Sequence, residues 1–223
     1  MNALLLSAGK GERLKPLTLK TPKCLLPFPD GKPALQYWIE MLNSFKEIDS
    51  IIVNTYWLAD KIEEFINNLP EELKMKIEIL EENYLYPTGK VLLELREELG
   101  KEFLVINCDT WLRKKEVRFI VDQSFILPFS VILGITWDKI SGKGLCVLKD
   151  SLIKEFTEKP KALEDAKGWV YCGILKANSG IFNYIKSDKD EITNDILPRL
   201  SGVMQFTTFS RMLDLGDRNG LFI

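Results

Sequence analysis

The sequence contains no histidine, and this absence excludes more chemistry than any other feature of its composition. Catalytic triads and general bases that depend on an imidazole are excluded, and so are metal sites built on histidine. A metal ion would therefore be held mainly by carboxylate oxygens, which are the ligands that Mg²⁺ and similar hard cations prefer.

Cysteines, long apolar runs and excess charge are also scarce. The four cysteines, at positions 24, 108, 146 and 172, lack the close spacing of zinc or redox motifs. No apolar run approaches the roughly 20 residues of a membrane span, and no secretory signal opens the chain. These absences predict a reduced cytoplasmic protein with no membrane partner. The 30 basic and 32 acidic residues nearly balance, so no nucleic-acid partner is expected either.

Two kinds of apolar segment alternate along the chain and predict its fold class. Short runs such as Ala3 to Leu6 and Phe103 to Asn107 are typical of buried strands. The segments Ala34 to Phe45 and Leu58 to Asn68 instead carry apolar residues at helical spacing. This alternation predicts an α/β protein whose parallel sheet is covered on both faces. Residues 1–223 are expected to form a single domain.

The strongest functional signal is a glycine-rich segment, Leu6 to Thr18, that follows the first strand. Gly9 and Gly11 let the backbone turn tightly and expose its N–H groups, and such a turn can cradle phosphate oxygens. Arg13 and Lys23 supply the positive charge that a polyphosphate needs.

Two better-known phosphate loops do not fit this segment. The Walker pattern needs Gly-Lys-Ser/Thr at the start of a helix, but Glu12 follows Gly11. The dinucleotide fingerprint needs a third glycine where the chain has Leu14, and Pro16 comes too early for a helix interior. A different kind of phosphate loop is therefore needed.

The segment and its continuation read Ala8-Gly9-Lys10-Gly11-Glu12-Arg13-Leu14, then Pro16-Leu17-Thr18, then Pro22-Lys23 and Leu26-Pro27. This pattern closely resembles the signature of sugar-1-phosphate nucleotidyltransferases. The resemblance implies a Rossmann-like three-layer sandwich with a mixed, mainly parallel sheet, of the nucleotide-diphospho-sugar transferase type. It also implies a Mg²⁺-dependent reaction in which a sugar 1-phosphate and a nucleoside triphosphate give a nucleotide-sugar and pyrophosphate.

The resemblance assigns roles to the residues of the front loop. The nucleotide-binding residues that it implies are Ala8, Gly9, Lys10, Gly11, Glu12 and Arg13. Arg13 and the loop backbone would hold the phosphates that leave as pyrophosphate, whereas Lys23 would contact the α-phosphate and the sugar phosphate. Arg13 and Lys23 are therefore the expected catalytic residues.

Two aspartates match the metal-binding positions of the family, which implies that both bind Mg²⁺. Asp109 follows a strand where the family has Asn/Gly-Gly-Asp, and Asp214 lies in Asp214-Leu215-Gly216. Cys108 replaces a glycine of the first motif and is expected to narrow the pocket beside the metal. Asp217 replaces a threonine of the second motif, and the chain continues for only seven residues after Gly216, so no appended C-terminal domain is expected.

The segment Tyr86 to Lys90 matches the second glycine-containing loop of the family only in part. Thr88 and Gly89 agree with that loop and are expected to bind the nucleotide, whereas Pro87 and Lys90 depart from it. An ordinary helix start is an equally good interpretation of the segment.

A third group of residues resembles the sugar side of the family's site. Glu158 and Lys159, in Glu158-Lys159-Pro160, are expected to bind the sugar phosphate together with Lys23. Gly173, in a strand from Trp169 to Leu175, would let the ligand approach closely, although a glycine inside a strand can equally mark a bulge.

The sequence does not decide which nucleoside triphosphate and which sugar 1-phosphate would react. The front loop and Asp109-Thr110-Trp111 resemble a short branch that includes N-acetylmuramate-1-phosphate uridylyltransferase, and compact mannose- and heptose-1-phosphate guanylyltransferases are nearly as similar. UTP is therefore expected slightly ahead of GTP, in a monomer or small homo-oligomer. Two alternatives are a non-catalytic nucleotidyltransferase-like binding or regulatory domain, and a phosphocholine-type cytidylyltransferase.

Overall fold

The computed structural model describes residues 1–126, 130–160 and 166–216. Asp217, which replaces a threonine of the family motif, lies outside these residues. The chain divides into two compact units: unit 1 contains Met1–Leu85, Val105–Lys114 and the residues from Leu213 onward, and unit 2 contains Tyr86–Leu104 and Lys115–Met212. This division does not decide whether the chain is a single domain, which stays a prediction.

The strands, in chain order, are β1 (Asn2–Leu6), β2 (Ile51–Thr55), β3 (Ile77–Glu81), β4 (Glu102–Asn107), β5 (Thr110–Trp111), β6 (Val131–Lys139), β7 (Gly144–Lys149), β8 (Leu152–Glu158), β9 (Lys167–Asn178), β10 (Gln205–Phe209) and β11 (Leu213–Asp214). The α-helices are α1 (Ala34–Asn43), α2 (Ala59–Asn67), α3 (Glu71–Lys74), α4 (Thr88–Glu94), α5 (Arg96–Leu99), α6 (Lys114–Asp122) and α7 (Leu197–Arg199). Among the residues described, no helix is both long and apolar enough to cross a membrane.

In unit 1, β1, β2 and β3 lie side by side in that order, and β4, which belongs to this unit from Val105 onward, lies on the other side of β1. β1 pairs with β2 in parallel, with Ala3 opposite Ile51, and β2 pairs with β3 in parallel. Every residue of β2 is buried, as expected for a strand that is covered on both faces. The strand-and-helix alternation predicted from the sequence is confirmed here, with bounds shifted by one or two residues.

Helix α1 fixes the segment that follows β4. The indole N–H of Trp38, which is fully buried, donates to the carbonyl oxygen of Thr110 at 2.9 Å. The hydroxyl of Tyr37 donates to the carbonyl oxygen of Leu112 at 2.6 Å. Two aromatic side chains of one helix therefore hold the backbone just beyond Asp109.

A small antiparallel sheet joins two segments that are distant in sequence. Thr110 of β5 pairs with Asp214 of β11, and Trp111 pairs with Leu213. The N–H of Leu215 adds a hydrogen bond of 3.0 Å to the carbonyl oxygen of Asp109. Asp109, directly before β5, and Asp214, in β11, are thereby brought close to each other.

Unit 2 is built on strands in the order β10, β6, β9, with the hairpin of β7 and β8 attached to β9. β10 pairs with β6 in parallel, whereas β6 and β9 are antiparallel. The sequence predicts an antiparallel pair from Gly144 to Val147 and from Ser151 to Phe156, and the pairing of β7 with β8 confirms it.

The sequence from Lys114 to Phe125 predicts a further helix, and this prediction is too long, because α6 ends at Asp122. The buried Lys176 ammonium accounts for this end. It donates to the carbonyl oxygens of Val121 and Gln123, at 3.1 and 2.7 Å, so side-chain contacts replace the next turn of the helix.

Candidate active site

The glycine-rich loop turns sharply at Gly11, whose φ is +63°. A Cβ atom at this position would lie 2.7 Å from Cγ2 of Thr18, so glycine is required both by the backbone conformation and by space. At Gly9 a Cβ atom would meet nothing within 4 Å. Packing therefore does not explain Gly9, and that side of the loop is open.

The loop lines an open cavity of about 230 Å³. Its lining residues are Gly9, Gly11, Glu12, Arg13, Leu14, Lys23 and Asp109. Pockets for whole small molecules measure about 300–1,000 Å³, so this cavity accounts for part of a substrate, such as a phosphate chain. Most of the front-loop residues predicted to bind a nucleotide therefore surround a single space.

Two predicted loop residues lie outside the lining of this cavity. Ala8 is buried, and its carbonyl oxygen accepts a hydrogen bond from the N–H of Trp57 at 3.4 Å. The ammonium of Lys10 lies 6.0 Å from the ring centroid of Tyr56. Within the lining, the Glu12 carboxylate forms a salt bridge with Lys15, so its negative charge is partly neutralised.

Lys23 lies between the two predicted metal ligands. Its ammonium forms a salt bridge with Asp109 and lies 3.7 Å from Oδ1 of Asp214. The three side chains are only 13%, 26% and 24% exposed, respectively, so solvent screens their charges incompletely. The structure therefore brings together three residues that the sequence assigned to catalysis and metal binding.

Arg13 completes the charged cluster. The Arg13 guanidinium and the Asp214 carboxylate both lie close to Gly216. A Cβ atom added to this glycine would be 2.7 Å from Nη2 of Arg13 and 2.9 Å from Oδ1 of Asp214. Glycine at this position therefore makes room for both side chains.

The pKa of Asp214 is raised above its ordinary value of 3.8, first by burial and then by the negative charge of Asp109. Lys23, the N–H of Gly216 and the guanidinium of Arg13 oppose this shift without cancelling it. Two partly buried carboxylates that repel each other favour the binding of a further cation.

Asp109 and Asp214 are the residues that could hold a divalent cation. The described part of the chain contains no group of three or more acidic or cysteine side chains suited to a metal. Two carboxylates nevertheless suit Mg²⁺, which keeps several waters and takes further ligands from substrate phosphates. The donor set therefore fits the ion implied by the family resemblance.

Cys108 does not narrow the cavity as expected from the sequence. Its side chain is 1% exposed and is not part of the cavity lining. Burial raises the pKa of its thiol, and contact with Cys24 raises this pKa further. The replacement of glycine by Cys108 is therefore absorbed in the protein interior.

Thr88 and Gly89, predicted to bind the nucleotide, begin helix α4 of unit 2. The hydroxyl of Thr88 donates to Glu191 and accepts from the N–H of Ile192, both at 2.7 Å. A Cβ atom on Gly89 would lie 2.6 Å from the carbonyl oxygen of Asp190. These contacts are those of a well-anchored helix start, and a role in nucleotide binding stays a prediction.

The predicted sugar-side residues also lie in unit 2. Glu158 ends β8, and the ammonium of Lys159 lies 3.1 Å from its Oε1. Gly173 has a φ of +70° and lies where the pairing of β6 with β9 shifts register, so it marks a bulge. Binding of a sugar phosphate by these three residues stays a prediction.

Two residues that support the loop, Asn54 and Trp57, were not predicted from the sequence. Oδ1 of Asn54 accepts a hydrogen bond from the N–H of Ser7 at 2.7 Å, and the indole N–H of Trp57 donates to the carbonyl oxygen of Thr18 at 2.9 Å. The available signal was a polar side chain, Asn54, inside the apolar β2 and an aromatic side chain, Trp57, just after it, and neither indicates its partner.

The family described as Nucleotidyl transferase matches residues 2–221, and the chain belongs to this family. The bifunctional protein GlmU of Methanocaldococcus jannaschii is 33% identical over 191 residues, which cover 85% of this chain and 43% of that protein. The probable mannose-1-phosphate guanylyltransferase 1 of Oryza sativa subsp. japonica is 27% identical over 207 residues, which cover 90% of this chain and 56% of that protein. The chain thus spans about half the length of the curated relatives it matches.

Solved structures support the same assignment at the level of fold. The crystal structure of HddC from Yersinia pseudotuberculosis complexed with GMP-PN superimposes with a TM-score of 0.80 at 22% identity. The match covers 99% of this chain and 96% of that one. The predicted fold class, a Rossmann-like α/β fold with a mixed, mainly parallel sheet, is therefore confirmed.

Proposed function

We propose that this protein transfers a nucleoside monophosphate from a nucleoside triphosphate to a sugar 1-phosphate, with release of pyrophosphate. The observation that carries the proposal is the convergence of Lys23, Asp109 and Asp214 with the loop from Gly9 to Arg13. Family membership supports it, as does the similarity to a relative named as a mannose-1-phosphate guanylyltransferase.

The proposed reaction is consistent with the absence of histidine. The nucleophile is an oxygen of the sugar phosphate, which is already ionised at neutral pH, so no general base has to remove a proton. A bond forms between this oxygen and the α-phosphorus, and the bond to the bridging oxygen breaks, so that pyrophosphate leaves with the electron pair. The barrier arises from bringing two anions together, and it is lowered by positive charge and in-line positioning.

The cavity residues provide this charge and positioning in the proposed mechanism. The N–H groups of the loop and the Arg13 guanidinium hold the β- and γ-phosphates. Lys23, which is paired with Asp109 in the structure, contacts the α-phosphate and the incoming sugar phosphate. Loss of one such contact is expected to cost about 3 kcal/mol, or roughly a hundredfold in rate.

Asp109 and Asp214 would hold Mg²⁺ in this mechanism. When bound, the ion neutralises phosphate oxygens as a Lewis acid. The raised pKa of Asp214 supports a cation at this position, because a positive ion relieves the repulsion between the two carboxylates.

The remaining assignments rest on the family resemblance. Thr88 and Gly89 would contact the nucleotide, and Glu158, Lys159 and Gly173 would contact the sugar phosphate. UTP is proposed slightly ahead of GTP, because the front loop and Asp109-Thr110-Trp111 resemble the short uridylyltransferase branch. A cytoplasmic location is proposed because all four cysteines are free and buried, and the protein is proposed to be a monomer or small homo-oligomer.

The test is a pyrophosphate-release assay with Mg²⁺, in which UTP, GTP, dTTP and CTP are each combined with a panel of sugar 1-phosphates. We expect turnover with at least one sugar 1-phosphate, and its loss in Asp109→Asn. The matched control is Asp122→Asn, since Asp122 is an exposed aspartate of α6 that pairs with Arg118.

Two results would contradict the proposal. No turnover across the panel, with nucleotide binding retained, would favour a non-catalytic binding or regulatory domain. Turnover only with CTP and phosphocholine would favour a cytidylyltransferase.

Pro87 departs from the family pattern, but it gives no support to a site that has lost its activity. It directly precedes α4 with a φ of −56°, and proline is a favourable residue at a helix start.

A further inference from the structure

We infer that Trp57 is a positioning residue of the nucleotide site, which holds the glycine-rich loop in the conformation that binds a triphosphate. The inference rests on the proposed function, since it concerns how that loop is kept ready for phosphates. Trp57 itself lies outside the cavity lining, on the segment between β2 and α2.

Trp57 contacts the loop at two places that are ten residues apart in sequence. Its backbone N–H donates to the carbonyl oxygen of Ala8 at 3.4 Å, just before the first glycine. Its indole N–H donates to the carbonyl oxygen of Thr18 at 2.9 Å, on the returning part of the loop. A single residue therefore joins the start of the loop to its end.

Thr18 transmits the second contact to the glycine turn. Its hydroxyl donates to the carbonyl oxygen of Gly11 at 2.9 Å, and the side chain is 1% exposed. Its methyl group fills the space beside Gly11, where a Cβ atom would approach to 2.7 Å. The position of Thr18 therefore sets the position of Gly11, which lines the cavity beside Arg13.

The backbone next to Trp57 is held in an uncommon conformation. Leu58 has a φ of +54°, in the left-handed region, which residues other than glycine rarely adopt. Such a conformation persists where surrounding contacts determine it, and here it reverses the chain directly before α2. The two hydrogen bonds of Trp57 are contacts of this kind.

An independent anchor makes the inference testable in a folded protein. Asn54 holds Ser7 at the end of β1, and its amide donates to the buried carboxylate of Glu82 at 2.7 Å. This anchor does not involve Trp57. Loss of the indole N–H should therefore loosen the loop around Thr18, whereas Ser7 at the end of β1 should stay in place.

The experiment compares Trp57→Phe, which removes the indole N–H and keeps an aromatic ring, with Trp137→Phe as a control at an exposed tryptophan of unit 2. The readouts are the KM for each triphosphate, the KM for sugar 1-phosphate, and the affinity for inorganic pyrophosphate by calorimetry. We expect Trp57→Phe to raise the KM for triphosphate and to weaken pyrophosphate binding, each about tenfold. The KM for sugar 1-phosphate and the melting temperature should match the control.

A second pair of variants tests the transmission through Thr18. Thr18→Val, which removes the hydroxyl and keeps the shape, should weaken pyrophosphate binding, whereas Thr18→Ser should retain it. Combining Trp57→Phe with Thr18→Val should have less than the sum of the two effects, because both act on the same turn.

The outcomes separate this inference from the proposed function. Unchanged triphosphate and pyrophosphate binding in Trp57→Phe, in a protein that turns over normally, overturns the positioning role and leaves the enzyme assignment intact. If the wild-type protein binds pyrophosphate without catalysing transfer, the proposed function fails, and the variants still test the role of Trp57. A wild-type protein that binds neither triphosphate nor pyrophosphate overturns both.

Discussion

Lys23 and Asp214 lie near opposite ends of the chain, yet the lysine Nζ is 3.7 Å from the aspartate Oδ1. The same ammonium forms a salt bridge with Asp109, so one positive charge is shared between two carboxylates. Lys23 is therefore both a structural partner of the acidic pair and one of the cations that line the loop cavity.

Replacement of Lys23 by glutamine should lower the rate of pyrophosphate release about hundredfold, because the charge that meets the α-phosphate is lost. Lys23→Arg should retain part of the activity, since it keeps the charge but changes its geometry. The matched control is Lys20→Gln, which removes the same charge at an exposed position of the same segment. Activity of Lys23→Gln within threefold of wild type would remove Lys23 from the mechanism.

Mg²⁺ should stabilise the folded protein, and the effect should grow as the pH rises. The raised pKa of Asp214 means that the folded state prefers the protonated carboxyl, so this group favours folding at low pH and opposes it as the pH rises through the raised pKa. Mg²⁺ competes with the proton, and at about 100 times its Kd it would add roughly 2.7 kcal/mol. Thermal unfolding with and without Mg²⁺ measures the effect.

Asp214→Asn provides the control for this prediction. The variant should unfold at a higher temperature than wild type when Mg²⁺ is absent, because the repulsion with Asp109 is removed. It should also lose the response to the ion. A Mg²⁺-dependent shift as large as that of the wild type would show that the cation binds elsewhere.

The ion pair of the buried Asp190 with the exposed Arg199 should govern part of the acid stability of unit 2. Hydrogen bonding to Arg199, supported by the N–H groups of Lys186 and Ser187, lowers the pKa of Asp190 to about 2. A carboxylate with a lowered pKa stabilises the fold above its ordinary value of 3.8, and this stabilisation is lost as the pH falls to about 2. Arg199→Gln should flatten the pH dependence of the unfolding free energy in that window, measured by urea denaturation. An unchanged slope would contradict this assignment.

Alanine at Gly89 should lower stability, whereas alanine at Gly9 should weaken triphosphate binding. At Gly89 the new Cβ atom would lie 2.6 Å from the backbone oxygen of Asp190, so we expect a loss of about 1–3 kcal/mol in stability. At Gly9 a Cβ atom meets nothing within 4 Å, so stability should be unchanged while triphosphate binding weakens, because the methyl group enters the open side of the loop. Chemical denaturation and pyrophosphate titration distinguish the two. Equal destabilisation by both substitutions would contradict the geometry of the loop.

The elements that the sequence predicted well are those with a strong local signal. The buried run before Asp109 and the helical spacing in α1 identify their elements to within one or two residues, because continuous apolar strands and amphipathic helices need no knowledge of their partners. The placement of Lys23 beside Asp109 and Asp214 was implied by three family motifs, and the structure brings those side chains together.

Contacts between segments that are distant in the chain could not be predicted from the sequence. β5 and β11 have two residues each, too few for any periodicity, although their pairing joins the two aspartates. Thr88 packs against a segment about a hundred positions further along the chain, so its helix start carried no local sign of the partner. The indole bond of Trp57 spans 39 positions and was missed for the same reason.

The pairing of β5 with β11 also determines when the acidic pair can form during synthesis on the ribosome. Asp109, which directly precedes β5, is synthesised about a hundred residues before Asp214 of β11, so the nascent chain contains one carboxylate without the other for seconds, at about 5–20 residues per second. During that interval the Lys23 ammonium can pair with only one of its two acidic partners. The acidic pair is completed only when β11 leaves the exit tunnel.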